Sequence, residues 1–437
     1  MSHSALTDLP AFPISAEVET LRQSALRKNA WRLVPILLLA QIFNYIDRTS
    51  VGFAALTMNH DLGLSATQFG WGAGILFAGY CLFEVPSSLV QRRVGARRWL
   101  GRIMITWGLA AAATAFATGP QSFYVTRFLV GVAEAGFFPG TTFFLAAWFP
   151  AQYRTRVLAW LGIGVPLSSL IGAPVSGALL QMHGFLGVSG WQWMFILEGL
   201  PVCVIGVVTL FLLVDEPHQA SWLTAAERNA LLTMLQEETR DRPKKNLWAA
   251  LGDPRVLVLT GITFAFTLGS YGVGIWLPQI LKGHGLTNLS IGFVSAFPYL
   301  VTTVVMLIWA RHVDRTGKKI ANLAAACLLG AVGLALAVMF SAPALGFAAV
   351  TVALVGTICA RTIFWTIPVR FLTGAAAAGG LAFINSVGAF GGFCGPFMMG
   401  WLKDATGSFS AGLVGMALVM GVSVLLTLSL FLLVREE

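Results

Sequence analysis

From Trp31 onward the chain is a series of apolar runs separated by short polar stretches. A membrane-spanning helix needs about 20 mostly apolar residues. The runs predict twelve spans, at 31–58, 66–90, 99–118, 121–148, 156–181, 190–214, 256–281, 290–310, 320–340, 344–371, 376–402 and 408–434. They are unalternating and rich in Gly, Ala and Leu, which selects helices over a membrane barrel. The expected fold is an all-α membrane protein. The one long polar insertion, 215–255, divides the spans six and six. The predicted organisation is a polar N-terminal segment (1–30), a six-helix bundle (31–214), a linker (215–255), a second six-helix bundle (256–434) and a short tail (435–437). Within the linker, Thr224-Ala225-Ala226-Glu227 predicts a capping box that opens an amphipathic helix with Leu231 and Leu235 on its apolar side. Such a linker is expected to tie the bundles together rather than to carry chemistry.

The two halves echo each other. Span 2 is followed by Arg92-Arg93-Val94-Gly95-Ala96-Arg97-Arg98, and span 8 by Asp314-Arg315-Thr316-Gly317-Lys318-Lys319. Both are tight basic turns with glycine at the same offset. Repeated halves about an axis along the membrane normal are a transporter architecture, with the site near the midplane between them.

Composition agrees: 57% of the 437 residues are hydrophobic and 11% charged, against about 25% charged in soluble domains. The net charge of +9 would suggest nucleic acid in a soluble protein. Its distribution points instead to membrane topology. With the N-terminus inside, 23 of the 28 Lys and Arg residues fall on the cytoplasmic side, span ends included, and two (Lys282, Lys403) on the outside. Both termini are therefore expected in the cytoplasm, in a bacterial inner membrane, with no nucleic-acid partner. The polar first 30 residues and the full length of the first apolar run argue against a cleavable signal. Cys81, Cys203, Cys327, Cys359 and Cys394 all lie in apolar runs without a C-x-x-C pair and read as free thiols.

Candidate chemistry lies where charge interrupts the apolar runs. Asn44-Tyr45-Ile46-Asp47-Arg48 sits inside span 1. Each charge at the centre of a membrane helix costs about 2.5–3.5 kcal/mol on insertion scales, so such residues are functional candidates by default. Span 4 carries Arg127 and Glu134, seven apart and on one helical face, with Gly131 between them; Gly136 and Gly140 form a small-xxx-small step. These charges read either as a structural ion pair pinning span 4 to span 1 or as a proton and anion site shared with Asp47 and Arg48; the second is preferred. Glu84 and Glu198 read as braces between helices. Arg361 and Trp365, four apart, would share a face of span 10; Arg361 could clamp a carboxylate or pair with an acid across the bundle. Asn385, Tyr80 and Tyr271 are polar groups at mid-membrane depth that either line the site or pack. No histidine lies deep in a span, so any proton coupling must use carboxylates. There is no P-loop, dinucleotide fingerprint or H-E-x-x-H, and so no expectation of cofactor, metal or enzymatic activity.

Nearly the whole chain, 31 to 434, resembles a major facilitator superfamily transporter of the anion:cation symporter family. The resemblance rests on Asn44-Tyr-Ile-Asp-Arg48, Phe83-Glu-Val-Pro86, Val94-Gly-Ala-Arg-Arg98, Arg127-Phe-Leu-Val-Gly-Val-Ala-Glu-Ala-Gly136, Phe137-Phe-Pro-Gly140, Gly190-Trp-Gln-Trp193 with Glu198-Gly199, Asp314-Arg-Thr-Gly317 and Ile384-Asn-Ser386. It implies the major facilitator fold of two six-helix pseudo-repeats, acting as a monomer in the bilayer. It also implies import of small organic anions with protons: sugar acids, tartrate-like hydroxy-dicarboxylates or aromatic acids. Asp47 and Glu134 match the family's proton-coupling acids, and Arg48 and Arg127 its anion-site and gating arginines. Tyr45, Tyr80, Trp365 and Asn385 match substrate-lining positions; Arg92, Arg93, Asp314 and Arg315 belong to the gating turns. The chain departs from the sugar-acid pattern at Val165-Pro166 and at Gly388-Ala389-Phe390, where a less polar wall suits a less hydroxylated acid. Arg361, outside the family pattern, could serve a second carboxylate, which leaves monoacid and diacid both open. A sugar-acid symporter is the alternative. A drug–proton antiporter, suggested by Gly172-Ala-Pro174 and Gly177, and a facilitator without coupling are further rivals.

Overall fold

The computed structural model describes residues 16–240, 252–340, 342–368 and 374–433. Among them are fourteen α-helices and no strand: α1 (Ala16–Asp61), α2 (Ala66–Val94), α3 (Ala96–Ala113), α4 (Pro120–Glu134), α5 (Phe137–Trp148), α6 (Ala151–Leu179), α7 (Gly190–Leu212), α8 (Ala225–Arg240), α9 (Pro254–Lys282), α10 (Asn288–Thr316), α11 (Lys319–Met339), α12 (Pro343–Phe364), α13 (Gly374–Thr406) and α14 (Ser410–Leu433). Eleven spans, counting α4 and α5 as one run, are long and apolar enough to cross a membrane. The twelfth is α1, whose apolar character is diluted by Gln41, Asn44, Asp47 and Arg48. It is also longer than its span: the helix begins at Ala16, inside the segment expected to be merely polar, and runs 46 residues through Pro35.

Helix packing repeats with an offset of six spans. In the first half α1 packs on α6, α2 on α4 and α3 on α7; in the second α9 packs on α13, α10 on α12 and α11 on α14. The halves meet symmetrically, α2 against α13 and α6 against α10, with α1 against α9 near the axis. Small residues set these approaches. A Cβ on Gly52 would sit 2.2 Å from the Ile275 carbonyl oxygen across the halves, and one on Gly131 would sit 2.0 Å from that of Leu76. The second contact holds α4 against α2.

Twelve crossings bring the first and last helices to one face, termed the termini face. On the opposite face the halves are tied together. The Asp404 carboxylate of α13 accepts hydrogen bonds from the backbone N–H groups of Ala66 (3.2 Å) and Thr67 (2.7 Å), at the start of α2. An acid at a helix N-terminus satisfies free donors and complements the helix dipole. The basic turns match as well: α2 and α10 end on Gly95 (φ 92) and Gly317 (φ 68), both with a positive φ that favours glycine.

The linker helix α8 docks on α1. Its capping box forms: Thr224 Oγ1 accepts from the Glu227 N–H, and Glu227 accepts from the Thr224 N–H. The same carboxylate takes Lys28 (2.8 Å) and Ser24 (2.7 Å) of α1. Burial pushes this carboxyl up, but Lys28, Ser24 and the Thr224 N–H outweigh it and hold Glu227 at about 2, against an ordinary 4.5. A depressed carboxyl supports the folded contact fully above its ordinary value, and that support is lost as pH falls through the lowered one. Spin labels on α1 and α8 should therefore report docking that is constant above about pH 4.5 and weakens towards pH 2. Glu227→Gln should already be weakened at pH 7 and lose this acid transition; an unchanged transition would remove Glu227 from the account.

Candidate functional site

The predicted fourth span is not one helix. It breaks after Glu134: Ala135 leaves helical geometry and Gly136 is left-handed at φ 87. The Ala135 carbonyl freed by the break accepts from Ser87 Oγ at 2.6 Å, since backbone groups at membrane depth must be satisfied within the protein. A Cβ on Gly136 would lie 2.2 Å from that hydroxyl, so glycine is required twice over. Both glycines of the small-xxx-small step do allow close contact with α2, since a Cβ on Gly140 would lie 2.1 Å from Gln91 Oε1; the break at Gly136 places Glu134 at the C-terminal end of α4.

Two ion pairs join α1 to α4. Arg48 donates from Nε (2.7 Å) and Nη2 to Glu134 Oε1, which also accepts from Asn44 Nδ2 at 2.7 Å. Arg127 Nη1 lies 3.7 Å from Asp47 Oδ1. Neighbours on a helix point about 100° apart. Asp47 and Arg48 therefore reach different partners on α4 instead of each other. Arg127 and Glu134 have no exposed surface. Arg127 makes no hydrogen bond with any of its nitrogens, and Asp47 is its ion partner. Asp47 Oδ2 accepts from the indole of Trp107 in α3 at 3.0 Å.

Arg48 also looks across to the second half. Its Nη1 donates to the Tyr271 hydroxyl of α9 at 3.3 Å, and its guanidinium lies over the rings of Tyr80 (4.9 Å), Tyr45 and Phe77 (both 5.5 Å). Arg361 of α12 reaches back to the first half. It donates to the Tyr45 hydroxyl and stacks 5.3 Å from the centroid of that ring. Among the described residues it forms no ion pair, so the acid partner considered from sequence is replaced by phenols, Tyr45 and Tyr271. α12 ends at Phe364; Trp365 caps it, still in right-handed helical geometry, and packs edge-on against Phe364 (5.3 Å).

Glu84 links the halves on the termini side of this cluster. It accepts from Asn385 Nδ2 (2.7 Å) and Ser386 Oγ (2.8 Å) of α13. The amide of Asn385 is therefore committed to Glu84. Glu198 accepts from Ser176 (2.7 Å), bracing α7 to α6. Arg92, Arg93, Asp314 and Arg315 are exposed at the ends of α2 and α10 on the termini face; Arg92 stacks 5.7 Å from Phe143. The five cysteines are free.

Sequence reasoning passed over Trp107 and Phe77. Trp107 carried a signal: membrane tryptophans concentrate at the interfaces, and a buried indole N–H deep in α3 requires an acceptor.

A family model described as Major Facilitator Superfamily matches residues 37–396. The chain belongs to the Major Facilitator Superfamily. A protein named "Putative tartrate transporter" from Agrobacterium vitis is 48% identical over 412 residues, 94% of this chain and 92% of that one. A "Quinolone resistance transporter" from Acinetobacter baumannii is 39% identical over 409 residues, 93% of this chain and 94% of that one. Among solved structures, a D-xylose-proton symporter superposes with a TM-score of 0.73 at 14% identity, covering 93% of this chain and 98% of that chain; this likeness carries the fold alone. This superfamily member is a multi-pass transport protein and not an enzyme.

Proposed function

We propose that this transporter imports a small organic carboxylate together with protons by alternating access. The observation that carries the reading is the crossed pairing of Arg48 with Glu134 and Arg127 with Asp47 between α1 and α4, with Arg48 also reaching Tyr271 of the second half. A proton on Glu134 removes the negative partner of Arg48 and frees a forked cation for a substrate carboxylate. Proton and anion then favour each other's binding, which is reciprocal linkage. Tyr45, Tyr80 and Tyr271 give the substrate aromatic walls, with Trp365 and Asn385 further along the second half. The ties between Asp404 and α2 close the route from the far face; rocking of the halves would break them and close the termini face, where Arg92, Arg93, Asp314 and Arg315 sit. The excess of basic residues on the termini face supports its placement in the cytoplasm of a bacterial inner membrane.

The substrate read from this wall is an aromatic or heteroaromatic acid or a tartrate-like dicarboxylate, with a sugar acid as the alternative. The relative named for quinolone resistance supports a second reading, drug–proton antiport. Uptake of labelled carboxylates into proteoliposomes decides between them. Symport predicts accumulation when the outside is acidic, and its collapse when protonophore is added. Efflux of a drug against the same gradient, with no carboxylate uptake, would select the antiporter.

A further inference from the structure

Among the described residues, one arginine of the central cluster forms no ion pair. Arg48 is paired with Glu134, with Glu84 as a further acid nearby, and Arg127 with Asp47, while Arg361 is held by phenols, the Tyr45 hydroxyl and ring and the Tyr271 hydroxyl. Arg361 and Arg48 lie on opposite halves and share one aromatic surface, each guanidinium within 5.5 Å of the Tyr45 centroid. Two cations therefore face the same small region, and among the described residues one of them forms no ion pair. Arg361 is part-buried; drawing a cation out of water without an anion is costly, and a bidentate carboxylate is the partner that matches a guanidinium fork.

We propose that Arg361 receives a second carboxylate, so that the substrate is a short dicarboxylate bridging Arg48 and Arg361. This rests on the organic-anion reading above and narrows it. One carboxylate takes the place of Glu134 on Arg48, and the other supplies the anion that Arg361 lacks. With one proton on Glu134, Arg48 and Arg361 each offer a fork to one end of a dianion, while Glu84, the other acid that acts on Arg48, stays bonded to Asn385 and Ser386. Glu134 is faced by Arg48 and Asp47 from α1, by Tyr80 from α2 and by Arg127 on its own helix; its proton transfers the Arg48 charge from the protein to the substrate. A dicarboxylate also ties the halves together through its own length, which a monocarboxylate held on one arginine does not do. Arg361 is thereby a specificity-determining residue.

The test measures binding of succinate, tartrate and phthalate, each beside its monoamide, to the purified full-length protein. A monoamide keeps the size and loses one charge. Wild type should prefer at least one dicarboxylate over its monoamide by about 10- to 100-fold, the range of a charge-assisted hydrogen-bonded pair. Arg361→Gln should reduce that ratio to near one, with the monoamide bound as before; Arg361→Lys should restore part of it. Equal binding of acid and monoamide by wild type overturns the inference and leaves the organic-anion reading intact. A ratio that survives in Arg361→Gln overturns it as well, and if that variant does not fold, the wild-type ratio and the Lys variant still decide. If no carboxylate of either kind binds, both readings fall.

Discussion

Glu134→Gln is expected to exchange carboxylate across the membrane while failing to accumulate it from a pH gradient. The substitution keeps the size of the side chain and an oxygen that can accept from Asn44, 2.7 Å away in the wild type. It removes the charge that holds Arg48 and the site that would carry the proton. Arg48 is then permanently free, so carboxylate affinity at alkaline pH should rise by roughly 5- to 150-fold, the usual span of a coupling free energy. Binding should also lose its pH dependence across the range where the wild type varies. Exchange and gradient-driven uptake must be read on the same vesicles, since a folding defect removes both. Accumulation by Glu134→Gln on a pH gradient alone would move the coupling proton elsewhere and leave the Arg48–Glu134 pair a structural one.

Arg127→Gln is expected to have the larger effect on the fold. Arg127 has no exposed surface and faces Asp47. Removing it strands a buried carboxylate, and breaking a buried pair from one side costs about 3–5 kcal/mol. Asp47 can escape by taking a proton, so the loss should grow as pH rises. Adding Asp47→Asn removes the stranded charge and should recover most of the stability, while coupled uptake stays lost. Thermal unfolding in detergent at two pH values reads the first effect, and proteoliposome uptake the second. A single Arg127→Gln variant as stable as wild type at alkaline pH would show that Asp47 does not depend on it.

The arginine that meets the second half is Arg48. That distinction was invisible in the chain, where Arg48 and Arg127 are two guanidiniums in two apolar runs. It follows from which side of α1 each partner occupies: Arg48 reaches Tyr271 and shares Tyr45 with Arg361, while Arg127 lies behind Asp47 with Trp107. The same holds for the acids. All four intramembrane carboxylates stand out in the sequence because an unexplained charge in lipid is so costly. Glu84 binds the opposite half through Asn385 and Ser386, whereas Glu198 stays within its own half on Ser176, and no spacing along the chain separates those roles.

The course of span 4 shows the limit of pattern reading in another way. The run from 121 to 148 is apolar throughout, and nothing in its periodicity interrupts a helix. The break at Gly136 exists because Ser87, on a different helix, accepts the cost of a freed carbonyl. Local sequence supplied a residue able to adopt φ 87; a partner 48 residues away supplied the reason to adopt it.

Hydrophobic run length, the six-and-six division and the placement of basic residues were enough to determine a polytopic helical membrane protein in two halves, because bilayer thickness and backbone satisfaction leave few alternatives; the likeness to the superfamily lay in its motifs. The presence of charge in α1 and α4 was equally plain, since water-seeking groups in an apolar run need partners. Tertiary packing alone decided who those partners are. Ion pairs act over a few ångströms, and distances between helices are set by contacts such as Gly131 on Leu76 and Gly52 on Ile275. It is this packing that gives Arg48 an acid and leaves Arg361 with phenols.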